Sequence, residues 1–217
     1  VGVFVALIVL WLMSLFILFK KDKTPPTWWL FGMIFGFSFL IFGYVFGYSV
    51  NAPWGVYHRY FTLSVVYGNW AFIGFSYSFP KNDFKKEAKV VIPLSFVLLS
   101  ILYGEFVYTT SSMEIIYNFT AHTYTFDYGT GSAVFILLSQ VFAAIVMIRK
   151  TLFYSSYSGY FSQWEKKPDS YLQYPMTLFA RWIIGWIKFF KPKGQEAVAC
   201  KGFSLMILSL LIIAVAN

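Results

Sequence analysis

A chain of 217 residues that is 59% apolar, 23% aromatic and only 12% charged has about half the charge of a soluble domain, where roughly 25% is usual. It cannot clothe a water-facing surface, and disorder, collagen-like repeats and coiled coil are excluded on the same numbers. The net charge of +8 is therefore read by its distribution along a membrane chain, with no nucleic acid expected as partner, and the single cysteine, Cys200, excludes an intrachain disulfide and a cysteine-based metal cluster.

A spanning helix needs about 20 mainly apolar residues to cross roughly 30 Å of hydrocarbon. Taken in chain order, residues 1–19, 28–50, 60–79, 90–108, 131–148 and 198–216 meet that need. The runs are continuous rather than alternating, which favours helices over a barrel. The predicted fold is all-α: a polytopic membrane helix bundle forming a single transmembrane domain over residues 1–217, with six spanning helices and one cytoplasmic interfacial amphipathic helix. That last helix is placed at about residues 172–190, where Thr177, Arg181, Gly185 and Lys188 share a polar stripe. Arg181, Lys188 and Lys191 are expected to face anionic lipid at the membrane surface.

Basic residues alternate from loop to loop. Lys20, Lys21 and Lys23 lie between the first two spans; Lys81, Lys85, Lys86 and Lys89 lie between the third and fourth. The long connection before the last span, with that span's first turn, holds Arg149, Lys150, Lys166, Lys167, Arg181, Lys188, Lys191, Lys193 and Lys201. All but one of the 17 basic residues thus fall on one side, which the positive-inside rule makes cytoplasmic. The N-terminus is expected outside, in a membrane taken as the bacterial inner membrane, and a cytoplasmic effector would require a seventh helix beyond residue 217.

Within the second span, Gly32, Gly36, Gly43 and Gly47 form one smooth stripe. Such a stripe lets a neighbouring backbone approach closely, by intramolecular packing first and as a dimer face or moving interface second. The polar groups inside spans are Asn69, Gln140 and serines, and the first two are expected to be interhelical hydrogen-bond partners. No ionisable residue falls near a bilayer midplane, which disfavours an ion pump or a retinal protein.

The outer side gathers His58, Arg59, Glu105, Glu114, His122 and Asp127 among many tyrosines. Arg59, the one basic outlier, sits in GVYHRY, with Glu105 or Asp127 as its expected counter-charge. This is the candidate ligand or sensing cluster; its plain alternative is an aromatic belt with a structural ion pair. No metal site and no cofactor are expected. The residues from which a metal or haem site would be built are His58 and His122 with Asp127 or Glu105, far apart and without ligand spacing. No nucleophile constellation or phosphate loop occurs, so the chain is not read as an enzyme.

The string YHRYFTLSVVYGNWAFIGFSYSFP at residues 57–80 and FTAHTYTFDYG at residues 119–129 resemble the third helix and the outer loop before the fifth helix of a known group. That group is the seven-helix N-terminal sensor region of bacterial signalling proteins, fused to histidine kinase, cyclase or serine/threonine phosphatase domains. The resemblance implies a sensory input module coupling an outer signal to a cytoplasmic effector, and implies His58, Arg59, His122 and Asp127 as its sensing positions. The other readings are a non-catalytic subunit of a larger membrane complex and a transporter or channel for a neutral substrate. Expected partners are the bilayer, anionic lipid, and a second copy or other membrane subunits.

Overall fold

The computed structural model describes residues 2–49, 57–111, 116–118, 123–125, 129–157, 183–192 and 194–216. Its elements are α1 (Gly2–Phe19), α2 (Pro25–Ser49), α3 (His58–Leu63), α4 (Val65–Ser78), α5 (Lys85–Ser111), a hairpin of β1 (Ile116–Asn118) and β2 (Thr123–Thr125), α6 (Gly129–Tyr157), a helical segment α7 over residues 183–190, and α8 (Gln195–Ala216). The fold is an all-α helix bundle, and helices cover all six apolar runs. Gly2–Phe19, Pro25–Gly47, Lys85–Tyr108 and Ile136–Ser155 are long and apolar enough to cross a membrane, so this is an integral membrane protein. The small antiparallel hairpin, with Tyr117 opposite Tyr124, stands where the sequence suggests only an outer loop.

Helix boundaries run past the apolar runs for local reasons. α2 begins three residues before its predicted start because Pro25 and Pro26 fit a first turn, where their missing N–H groups need no partner. α5 begins at Lys85 and carries Glu87 in its first turn, where a carboxylate suits the positive end of the helix dipole. The third run is divided at Ser64, whose hydroxyl bonds back to the Phe61 carbonyl at 2.5 Å, a bond that competes with the helical ladder. α4 alone is about 21 Å long at 1.5 Å per residue, short of the roughly 30 Å of a hydrocarbon core.

Two compact units, Val1–Gln140 and Val141–Asn217, divide the chain, with the division inside α6. In the first unit α4 is the central element: Val65, Asn69, Phe72, Gly74, Ser76 and Tyr77 are buried on every side of it, as expected of a helix with no solvent or lipid stripe. Its packing against α2 is the most extensive among the described elements. A methyl group placed on Gly36 would stand 2.5 Å from the Gly68 Cα and 2.6 Å from its nitrogen, so the two backbones touch. One turn before Gly36, Gly32 meets the Ala71 Cβ; two turns after it, Gly43 meets Thr62 and the His58 carbonyl, while Gly74 receives the face of Trp29. The glycine stripe of α2, with Gly36, Gly43 and Gly47 all buried, packs within the chain.

Aromatic rings wedge the remaining helices onto this pair. Trp29 meets Trp70 edge to face at 5.0 Å, and Trp70 meets Phe96 at 4.9 Å. The Trp70 indole donates to the Ile92 carbonyl at 3.0 Å, beside Pro93 in α5. The Tyr77 hydroxyl donates to Glu87 Oε1 at 2.6 Å. Toward the other end Leu63, Val66, Leu99 and Phe106 form an apolar cluster with Ile136 packed against it. α1 is held by Trp11, which donates to Ser38 Oγ at 3.1 Å; its Leu12, Phe16 and Phe19 are exposed and face lipid.

In the second unit α6 buries Ala143, Ala144, Met147 and Lys150, and α8 buries Ala197, Cys200 and Ser204. α7 ends at a capping contact: Lys201 Nζ donates to the Phe190 carbonyl at 2.7 Å, a cation on a helix C-terminus. Gly194, at φ +95, makes the turn into α8 in a conformation that a side chain would strain.

Gly36→Val is expected to destabilise the protein toward the upper end of the about 1–3 kcal/mol typical of overpacking, because the neighbour is backbone and cannot rotate away. Gly104, with nothing within 4 Å of an added methyl, is the control: Gly104→Ala is expected to be neutral or to stabilise by about 0.5–1 kcal/mol. Unfolding midpoints in detergent micelles for the two variants check both outcomes.

Candidate functional site

Within the first unit, helix alternation sorts the charges. The lysine-bearing segments between α1 and α2 and between α4 and α5 lie at one end of the bundle, beside Trp29, Tyr77 and Glu87. α3 lies at the other end, against the C-terminal halves of α2 and α5: Thr62 touches Gly43, and Tyr103 Oη donates to the Tyr60 carbonyl at 3.4 Å. His58 and Arg59 open α3.

Both side chains are buried, His58 at 3% exposure and Arg59 at 5%. Sequence reasoning puts them on an outer rim; the first turn of α3 instead turns them inward. The reason lies in the seam, because seating Thr62 and the His58 carbonyl on Gly43 draws the whole turn against α2. The Thr62 hydroxyl donates back to the His58 carbonyl at 2.9 Å, which binds the turn to itself.

Arg59 Nη2 donates to Tyr60 Oη at 2.8 Å, and the guanidinium carbon stands 4.8 Å from the Tyr60 ring centre. Arg59 Nε and Nη1 are buried with no hydrogen-bond partner among the described residues. A buried donor left unpaired costs roughly 1–3 kcal/mol, and more when the group is charged. The expected ion pair with Glu105 is not formed: Glu105 is exposed on α5 and is not among the partners of Arg59. Glu105 is set outward because α5 turns its neighbour Phe106 into the apolar cluster, and adjacent helical residues point to different faces. His122 and Asp127, the other members of the cluster, lie outside the described residues. Among the described residues no three His, Cys, Asp or Glu side chains gather as metal ligands.

Asn69 and Gln140 are brought together. Gln140 Nε2 donates to Asn69 Oδ1 at 3.2 Å, and Asn69 Nδ2 donates to the Val65 carbonyl at 3.1 Å. Asn69 is 1% exposed, so this polar pair joins α4 to α6.

The interfacial segment differs from expectation in its rotation. Lys188, placed by its stripe on the membrane surface, is 4% exposed and points inward with Ile184 and Phe189; the Lys188 carbonyl accepts from Ser155 Oγ at 3.3 Å. The outward stripe is apolar: Ile183, Trp186, Ile187 and Phe190, with Trp186 and Phe190 stacked at 5.6 Å. With Lys191 these residues line an open groove of about 410 Å³. An apolar stripe is favoured outward where lipid replaces water, which accounts for the inward Lys188. Lys191 is exposed as expected; Arg181 and residues 172–182 lie outside the described residues.

The Asn69–Gln140 bond makes a quantitative expectation. A double-mutant cycle with Asn69→Leu and Gln140→Leu should give a coupling near the ~0.6 kcal/mol average for interhelical hydrogen bonds in membranes, with ~1.7 kcal/mol as an upper bound. Unfolding free energies of the four proteins in micelles check it, and additive effects would remove the bond from the account.

Comparison with protein-family models, with curated proteins and with solved structures gives no match, so the function is argued from the site itself.

Proposed function

We propose that this chain is a membrane-embedded sensory input module, in which an event at the Arg59 end of the bundle biases helix packing and the lysine-rich end reports it. The observation that carries this reading is the buried Arg59, with Nε and Nη1 unpartnered among the described residues, on the same helical turn as the His58 carbonyl and Thr62 that seat on Gly43. A group that satisfies those donors acts on α3, and α3 is joined to the central α4 at Ser64. A signal needs a differential affinity between two helix arrangements. At Gly36 and Gly68 the seam between α2 and α4 is backbone on backbone, a close small-residue contact of the kind that can serve as a moving interface.

In this proposal α3–α4 and α8 complete six crossings. The lysine end is cytoplasmic, the N-terminus is outside, and the membrane is the bacterial inner membrane. The exposed face of α7, with Lys191 at its edge, rests among cytoplasmic-side lipids with anionic headgroups near the lysine. The sequence resemblance to seven-helix sensor regions agrees with this reading. A non-catalytic subunit of a larger membrane complex is the second reading, favoured by the groove beside the stacked Trp186 and Phe190, which a partner helix would fill.

The two readings part on coupling. Spin labels at Lys21→Cys and Lys86→Cys, both exposed at the lysine-rich end, in a Cys200→Ala background report distances there. In a sensory module Gly43→Ala, a change at the opposite end, is expected to redistribute two distance populations by about 5–150-fold, the range for coupling of about 1–3 kcal/mol. One unchanged population in both proteins would sink the sensory reading and favour the subunit.

A further inference from the structure

We infer that Arg59 anchors a binding site for an oxyanion, the carboxylate or phosphate group of a molecule that reaches the α3 end of the bundle, with Tyr60 as a second donor. The inference rests on the sensory reading for its purpose, and on Arg59 for its chemistry. Arg59 is 5% exposed and its guanidinium is always charged, yet one bond to Tyr60 Oη is the only hydrogen bond that group makes among the described residues. The lysine-rich segments of this unit are at the opposite end; of the two carboxylates expected to neutralise Arg59, that of Glu105 faces outward and that of Asp127 lies outside the described residues. A buried cation in that state calls for an anion.

The geometry specifies the kind of anion. The open Nε and Nη1 diverge, each sharing one edge of the guanidinium plane with Nη2, so two oxygens of one group can engage an edge where a single acceptor would leave a donor open. Tyr60 Oη accepts from Arg59 Nη2, so its own O–H is left to donate to the same oxyanion. The Tyr57 ring lies 6.0 Å from that of Tyr60 and is half exposed. An apolar body attached to the anion therefore has an aromatic surface to lie on. A lipid headgroup and a small soluble carboxylate or phosphate share this chemistry.

The test uses the 217-residue chain in maltoside micelles, which carry neither phosphate nor carboxylate, labelled with ¹⁵N-arginine. The arginines are Arg59, Arg149 and Arg181. Arg149→Lys and Arg181→Lys assign the Arg59 Nε–H signal by elimination, leaving the site untouched. One arm adds inorganic phosphate or acetate; the other adds phosphatidylglycerol. A saturable shift of the Arg59 signal, at concentrations where the exposed Arg149 does not move, is expected in at least one arm. The responding arm names the source as a soluble anion or a lipid headgroup. The same addition should raise the thermal midpoint of the wild type, less that of Arg59→Lys, and leave that of Arg59→Gln unmoved. No saturable shift in either arm, or one equal to that of Arg149, overturns the site. Saturable binding that leaves the Lys21–Lys86 distances unchanged keeps the site and sinks the sensory reading. Distances that respond to Gly43→Ala without anion binding at Arg59 sink the site alone.

Discussion

The backbone contact between Gly36 and Gly68 is the constraint on which the first unit depends. Helices in lipid gain nothing from burying apolar side chains against one another, since the lipid is equally apolar, so close packing has to do the work. With no Cβ on either side, α2 and α4 approach until Gly36 lies against the Gly68 Cα and nitrogen. That approach has two consequences. Trp29 is brought over Gly74 and against Trp70, which in turn holds α5 through the Ile92 carbonyl. At the other end Gly43 receives Thr62 and the His58 carbonyl, which turns α3 inward and takes Arg59 with it.

The burial of Arg59 is thus a by-product of packing that becomes a chemical opportunity. A guanidinium on an exposed rim would be hydrated and weakly selective, since screening and water competition leave surface ion pairs worth little. Inside the bundle the same group is desolvated, fixed against Tyr60, and able to distinguish an anion from water. Its position on a six-residue helix joined to α4 at Ser64 gives any bound group leverage on the helix at the centre of the unit.

The second unit obeys the same solvent logic from the other direction. α7 turns Trp186 and Phe190 outward and Lys188 inward. In water this would be an inverted helix; in the proposed seat at the membrane surface it is the lower-energy rotation, because exposed aromatic area would meet lipid. The Lys201 contact with the Phe190 carbonyl closes the end of α7 that faces the turn at Gly194.

How much of this is legible without coordinates follows from which properties are local. The apolar runs, their helicity and the membrane location are determined by composition and run length, because lipid forces each segment to satisfy its own backbone. The glycine stripe of α2 and the polar pair Asn69 and Gln140 are also readable, since small and polar residues in a span have few uses other than contact. Three features are not. The break at Ser64 depends on whether a serine hydroxyl bonds back to Phe61, a choice local propensity leaves open. The inward Arg59 and inward Lys188 depend on helix rotation, and rotation is decided by what the opposite face packs against. A hydrophobic stripe shows that a helix has two sides, but only the tertiary contacts, Gly43 with Thr62 and Ser155 with the Lys188 carbonyl, decide which side points in. The sequence by itself therefore determined a helical membrane protein and the residues able to form its seam, while the tertiary structure alone decided that Arg59 is buried, because burial is a property of the neighbours that close over a side chain.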